Sequence, residues 1–334
     1  LAAGRGVCLP ATALASSKVA SYGIFNYARH RTQFNIPILK MEGVNNKFLD
    51  MIYHTWVIQS SVHLTNTLLD LGEKPAVISA IMKQQTTDRA RLVLNNALDI
   101  HAGSGICLGH TNFLEKFYRS APIGITVEGS NTLTKNLIIF GQGLNKSHPH
   151  IYPVPESILE DDSQKFKHSF RNIVGHSLNL YLKSLVNLFP KSSTVDSELK
   201  RQTLNFACLS NFVALKGGSI KKEQFLSGDM ADIFSNLYLA YAVKWYHQQN
   251  SCSDILTKYC LERLLDENRI KFNQVINNLG GIRYPILHLR QKIKTDNYQT
   301  KRDVLDEINH NPKIMDLIKE DIGIMPHKYN LFRI

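Results

Sequence analysis

The sequence predicts an all-α protein made of two helical units. Three observations carry this expectation. Apolar residues recur at helical spacing over most of the 334 residues. The alternation that marks half-buried strands is missing from the pattern. Glycine and proline fall mainly where the periodic stretches end. A chain of this length can bury two separate cores, and its 43% hydrophobic content is ordinary for a soluble folded protein. No apolar run reaches the ~18 residues that span a bilayer.

The first helix spans 11–31, with Pro10 in its first turn, and begins with small residues suited to close packing. A second runs over 41–71 and turns Phe48, Met51, Thr55, Ile58, Val62 and Leu69 inward. Gly72 and Pro75 punctuate it. A third carries Val77, Ile81, Val93, Ala97 and Ile100 on one side and ends at Ala102-Gly103. Helices over 111–119 and 130–140 complete the first unit. Pro149, Pro153 and Pro155 then mark a boundary, giving domains 1–145 and 146–334. In the second domain Asp162 caps a helix reaching Phe189, closed by Pro190. A helix over 198–216 ends at Gly217-Gly218, Gly228-Asp229 opens 230–246, and Ser253 opens a pattern running to Leu279-Gly280-Gly281. Short helices over 302–308 and 312–320 follow. The aromatic cluster Phe234, Tyr238, Tyr241, Trp245 and Tyr246 reads as packing.

The net charge of +11 is spread over both halves without a dense stripe. It fits a solvated basic surface, or attraction to an anionic coenzyme or membrane surface, and argues against nucleic acid. Cys8, Cys107, Cys208, Cys252 and Cys260 form no CxxC pair, which fits a reducing, cytoplasmic setting and neither a disulfide scaffold nor a zinc site. His148 and His150 lack the neighbours that complete a metal site, and His101 reads as a packed histidine. The opening residues, Leu1-Ala2-Ala3-Gly4-Arg5-Gly6, are neither a start methionine nor a signal peptide and read as the interior of a longer protein.

The chemistry concentrates in Val127-Glu128-Gly129-Ser130-Asn131, which follows the turn Gly103-Ser104-Gly105. A lone carboxylate between an apolar residue and a glycine is a positioned base whose neighbouring backbone a ligand can approach. A glycine turn at a helix end lets a phosphate-bearing cofactor lie against bare backbone.

In order, Ala3-Gly4-Arg5, Tyr27 to Phe34, Asp99-Ile100-His101-Ala102-Gly103-Ser104-Gly105 and Glu128-Gly129-Ser130-Asn131 resemble the C-terminal helical domain of acyl-coenzyme A dehydrogenases. The family pattern reads roughly R-x-x-F, then Q-I-x-G-G-x-G, then E-G-T-x-Q. Ile139-Phe140-Gly141-Gln142-Gly143, His148-Pro149, Ser227-Gly228-Asp229 and Leu237-Tyr238-Leu239-Ala240 resemble the extra helical region of the large bacterial long-chain enzymes.

The resemblance implies FAD-dependent α,β-dehydrogenation of long-chain fatty acyl-CoA in β-oxidation. Glu128 matches the base that removes the α-proton, and its N–H matches one donor to the thioester oxygen. Gly129 matches the point of thioester approach, and Arg5 a substrate-binding arginine near the active site. Arg31, Gln33, Phe34, Asp99, Gly103, Gly105, Ser130 and Thr132 match cofactor positions. Asp99 stands where the family has glutamine, Gln33 where threonine is common, and Thr132 where glutamine is usual. A carboxylate beside a diphosphate requires a hydroxyl or a cation as partner. The implied partners are electron-transfer flavoprotein and a second copy of the chain. Peripheral contact at the inner membrane stays open. The alternatives are an acyl-CoA oxidase, a nucleic-acid-binding member of the fold, and an assembly module without activity.

Overall fold

The computed structural model describes residues 4–73, 76–109, 111–143, 150, 153–187 and 194–323. The expectations for Pro75, for His148-Pro149 and for the helix end at Phe189-Pro190 lie outside these residues. The principal helices are α1 (Leu9–His30), α2 (Glu42–Asp70), α3 (Ala76–His101), α4 (Glu115–Thr126), α5 (Ser163–Val186), α6 (Val195–Ala214), α7 (Gln224–Asn250), α8 (Asp254–Asn277), α9 (Tyr298–His310) and α10 (Pro312–Lys319). The all-α expectation holds. Among the described residues the one sheet is a two-stranded hairpin, β1 (Thr32–Gln33) and β2 (Ile36–Pro37), pairing Thr32 with Pro37 and Gln33 with Ile36. It turns through Phe34 and Asn35, both at positive φ (50° and 64°). Strands this short leave no trace in periodicity.

Two compact units divide the chain: residues 1–131, 241–261 and 295–334 in the first, 132–240 and 262–294 in the second. This division differs from a single cut after residue 145, because the later parts of α7, the start of α8 and helices α9 and α10 belong to the first unit.

In the first unit α1, α2 and α3 pack on one another. Small residues let α1 approach closely, and Ser17, Ala20, Ser21 and Ala28 are fully buried. One inward face was expected for α2, yet Met51 through Val62 are all buried. The reason is long-range: Tyr246 of α7 packs edge-on against Trp56 at 5.6 Å and its hydroxyl accepts from Gln59 Nε2 at 2.6 Å, while Tyr259 of α8 packs against Tyr53. Leu69 and Val77, expected inside, are only half-buried. The helix expected over 111–119 begins instead at Glu115, capped by Asn112 Oδ1, and runs past Pro122 to Thr126.

In the second unit the helix expected over 130–140 is a turn, Asn131–Leu133, followed by π-helical Thr134–Ile139. Asp162 caps α5 as expected, accepting from the N–H of Gln164 and of Lys165. Helix α7 starts at Gln224, so Gly228-Asp229 lies within it rather than opening it. A Cβ at Gly228 would stand 2.5 Å from Asn136 Oδ1, and Ser227 Oγ donates to the Asn136 carbonyl. The Ser-Gly-Asp motif is therefore a packing device, completed by Lys271 bridging Asp229 and Asp232. Phe234 stacks on Phe206. No helix of the described residues is long and apolar enough to cross a membrane.

Candidate active site

The Glu128 loop belongs to the first unit and follows α4, which closes when the Val127 N–H donates to the Ile123 carbonyl. Two left-handed residues then follow in succession, Glu128 at φ 55° and Gly129 at φ 96°. Glycine takes this conformation readily, whereas a glutamate pays about 1 kcal/mol or more. It persists because its surroundings hold it. Arg5 Nε and Nη2 both donate to the Glu128 carbonyl, at 3.1 and 2.9 Å. Lys83 Nζ donates to the Gly129 carbonyl at 2.5 Å and to Asn131 Oδ1 at 2.6 Å. Asn131 Nδ2 in turn donates to Thr87 Oγ1 and Asp88 Oδ1.

Two cations therefore grip successive backbone carbonyls. Glu128 is half-buried, its Oε2 is shut off from solvent, and that oxygen has no hydrogen-bond partner among the described residues. Oε1 lies against Gly4, where a Cβ would approach within 2.8 Å. The Glu128 N–H likewise meets no acceptor among the described residues. A shielded carboxylate oxygen with an open lone pair can accept a proton from a bound molecule, and the adjacent N–H can polarise a carbonyl.

Four of the eight expected cofactor residues gather elsewhere in the unit. A cleft of about 670 Å³ is lined by Arg31, Gln33, Asp99 and Gly103, together with Tyr27, Lys47 and His101. Lys47 Nζ pairs with Asp99 at 2.6 Å, supplying the cation that a carboxylate in a phosphate site requires. A Cβ at Gly103 would meet nothing, so the backbone there is open to a ligand. Gly105 differs: it is buried, its N–H donates to the Ala102 carbonyl, and a Cβ would strike Leu98 at 2.6 Å. Its smallness serves packing. Phe34 projects from the hairpin, 89% exposed, and does not line the cleft. Ser130 is exposed beside Gly129, and Thr132 is exposed at the start of the second unit. His101 is buried edge-on to Tyr27, and burial pushes its pKa down, so it stays neutral. Among the described residues no cluster of His, Cys, Asp and Glu is arranged for a metal. The Arg31 guanidinium, the open backbone at Gly103 and an acid neutralised by Lys47 fit a nucleotide diphosphate.

Sequence reasoning missed Lys83 and Lys47, and it quoted Gly4 and Asn131 only as members of their motifs, without a role. Lys83 carries a signal, since a lysine inside the polar run 83–89 of a helix otherwise patterned for burial needs a partner.

Comparison with known proteins agrees with this architecture. Residues 145–324 match the model for the acyl-CoA dehydrogenase C-terminal region of bacterial type, and residues 2–141 match that for the acyl-CoA dehydrogenase C-terminal domain. The chain belongs to the acyl-CoA dehydrogenase family. It is 33% identical over 112 residues to acryloyl-CoA reductase (NADH) of Anaerotignum propionicum, covering 34% of this chain and 28% of that protein. Its fold matches an acyl-CoA dehydrogenase from Bacillus anthracis solved with FAD, at TM-score 0.71 and 18% identity over 95% of this chain and 56% of that one. Acyl-CoA oxidase 3 of Yarrowia lipolytica matches at TM-score 0.59 and 16% identity, over 95% and 48%. The chain thus spans less than two thirds of each.

Proposed function

We propose that this chain is the C-terminal portion of an FAD-dependent acyl-CoA dehydrogenase that introduces the α,β double bond into long-chain fatty acyl-CoA during β-oxidation. In this reading 1–145 is the dehydrogenase C-terminal domain and 146–334 an additional helical domain. The observation that carries it is Glu128 Oε2, shut off from solvent and without a hydrogen-bond partner among the described residues while Arg5 and Lys83 hold the loop backbone. Glu128 removes the α-proton at a carboxylate oxygen, its N–H polarises the thioester carbonyl, and Gly129 keeps the approach clear. The cleft residues Arg31, Gln33, Asp99 and Gly103 would hold the FAD. The flavin, when bound, supplies the acceptor for the β-hydride. Arg5 anchors the loop behind the base. By microscopic reversibility the same carboxylate returns the proton in the reductive direction for which the Anaerotignum relative is named.

Electron-transfer flavoprotein takes the electrons, and the enzyme is a homo-oligomer in the cytoplasm. Contact with the inner membrane is supported by α5, where Phe166, Phe170, Val174, Leu178, Leu182 and Val186 form an exposed apolar stripe on a helix with no Asp or Glu. The second reading is an acyl-CoA oxidase, supported by the Yarrowia structural match. The test is anaerobic addition of long-chain acyl-CoA to the complete enzyme. Bleaching of the flavin absorbance with turnover of an artificial acceptor supports the dehydrogenase, peroxide release in air supports the oxidase, and an unbleached flavin overturns both.

A further inference from the structure

Lys83 sits in the middle of α3 with no solvent exposure. Burying an ammonium is costly unless it is hydrogen-bonded and paired. Here its donors are directed at the Gly129 carbonyl, one residue after the base, and at Asn131 Oδ1, two residues further on. Asn131 is itself locked to α3 through Thr87 and Asp88, and Gln84 Nε2 donates to the other oxygen of Asp88. One helix therefore grips the loop at two places, at the Gly129 carbonyl and at Asn131. We propose that Lys83 is a positioning residue for Glu128: its buried ammonium fixes the Gly129 carbonyl and so sets where the carboxylate stands.

The charges acting on Lys83 are Asp88 on its own helix, Arg5 from the N-terminal turn and Glu128 from the loop. On α4, Glu115 and Arg119 pair with each other. The Glu128-Gly129 backbone lies in the left-handed region, which a glutamate keeps only where its surroundings hold it. Without the ammonium, Arg5 would still hold the Glu128 carbonyl and Asn131 would still be tied to Thr87 and Asp88, but the Gly129 carbonyl would lose its lysine donor. Lys83 does not reach substrate in this account. It acts through the geometry of the base, so its removal should lower the rate of the chemical step and spare substrate binding.

The proposal rests on Glu128 being the base, and the experiment separates the two. In the complete, flavin-loaded enzyme Lys83→Met should lower kcat by about tenfold to a hundredfold with KM unchanged within about twofold. Asn131→Ala, which leaves the Gly129 contact and removes the second acceptor, should lower kcat in the same way by about threefold to tenfold. A folded Lys83→Met enzyme with unaltered kcat, or one whose kcat and KM change together, overturns the proposal. If Lys83→Met does not fold, Asn131→Ala decides by the same split. Glu128→Gln run alongside distinguishes the failures: activity retained there removes the base reading, whereas activity lost there but kept in Lys83→Met removes only the role of Lys83.

Discussion

Around Glu128 the polar contacts are short and converge on the loop backbone: Arg5 on one carbonyl, Lys83 on the next, Asn131 tied to α3. Around Arg31 the same compact unit presents cations at a cleft wall, a lone ion pair between half-exposed Lys47 and Asp99, and an aromatic ring on a hairpin tip open to solvent. In the proposed reading, the group that must stand still beside a reacting carbon is held by several contacts of its own chain. The surface proposed to receive a large anionic cofactor keeps its charges accessible and its backbone bare. The contrast teaches where substitutions will act on rate and where on binding.

The largest effect that breaks this contrast from the loop side is at Gly4. A Cβ there would press on Glu128 Oε1, the far end of a flexible side chain, so the carboxylate yields before the fold does. Gly4→Ala should leave the thermal midpoint nearly unchanged and reduce turnover by about a hundredfold, the cost of an ångström-scale misplacement. On the cleft side, Arg31→Ala should weaken FAD retention by about tenfold or more, measured by equilibrium dialysis, with KM for acyl-CoA unaffected. Lys47→Met should weaken it several-fold, because it leaves Asp99 facing the phosphates unpaired. Lys47→Met with Asp99→Gln should recover most of that loss. An Arg31 variant that keeps its flavin would contradict the assignment of the cleft.

The smallest expected effect is a pH dependence. Burial pushes the pKa of Lys83 below its ordinary 10.5, with Asp88 opposing and Arg5 reinforcing the shift. In the window between that depressed value and 10.5 the unfolded chain binds the extra proton, so stability conferred by this group rises with pH there. The unfolding free energy of the wild type, relative to Lys83→Met, should climb across that alkaline window and be flat below it. A relative curve that falls with rising pH would mean that the ammonium is favoured, not penalised, by its burial.

The helices were legible because their periodicity and their caps are local. Asp162 and Ser253 behave at their helix starts as side-chain chemistry dictates, each accepting from backbone N–H groups downstream. The burial of α2 on every side was not legible, because Tyr246 and Tyr259 arrive from nearly two hundred residues away. At the site, Glu128 and Gly129 stand out in sequence by their juxtaposition, and the positive φ at both follows no local rule a glutamate would suggest. Lys83 and Lys47 were hidden for a common reason. Each is defined by a partner far along the chain, Gly129 for one and Asp99 for the other. Gly105 illustrates the converse: a glycine in a motif of cofactor contacts whose smallness is required by Leu98.

The most direct measurement follows deuterium from solvent into the α-carbon of a non-oxidisable acyl thioester bound to the complete enzyme, comparing wild type with Glu128→Gln at equal flavin content. The wild type should exchange that proton and Glu128→Gln should slow the exchange by about a hundredfold to ten-thousandfold while binding the thioester normally. Exchange at the wild-type rate in Glu128→Gln would place the base on another side chain and contradict the account.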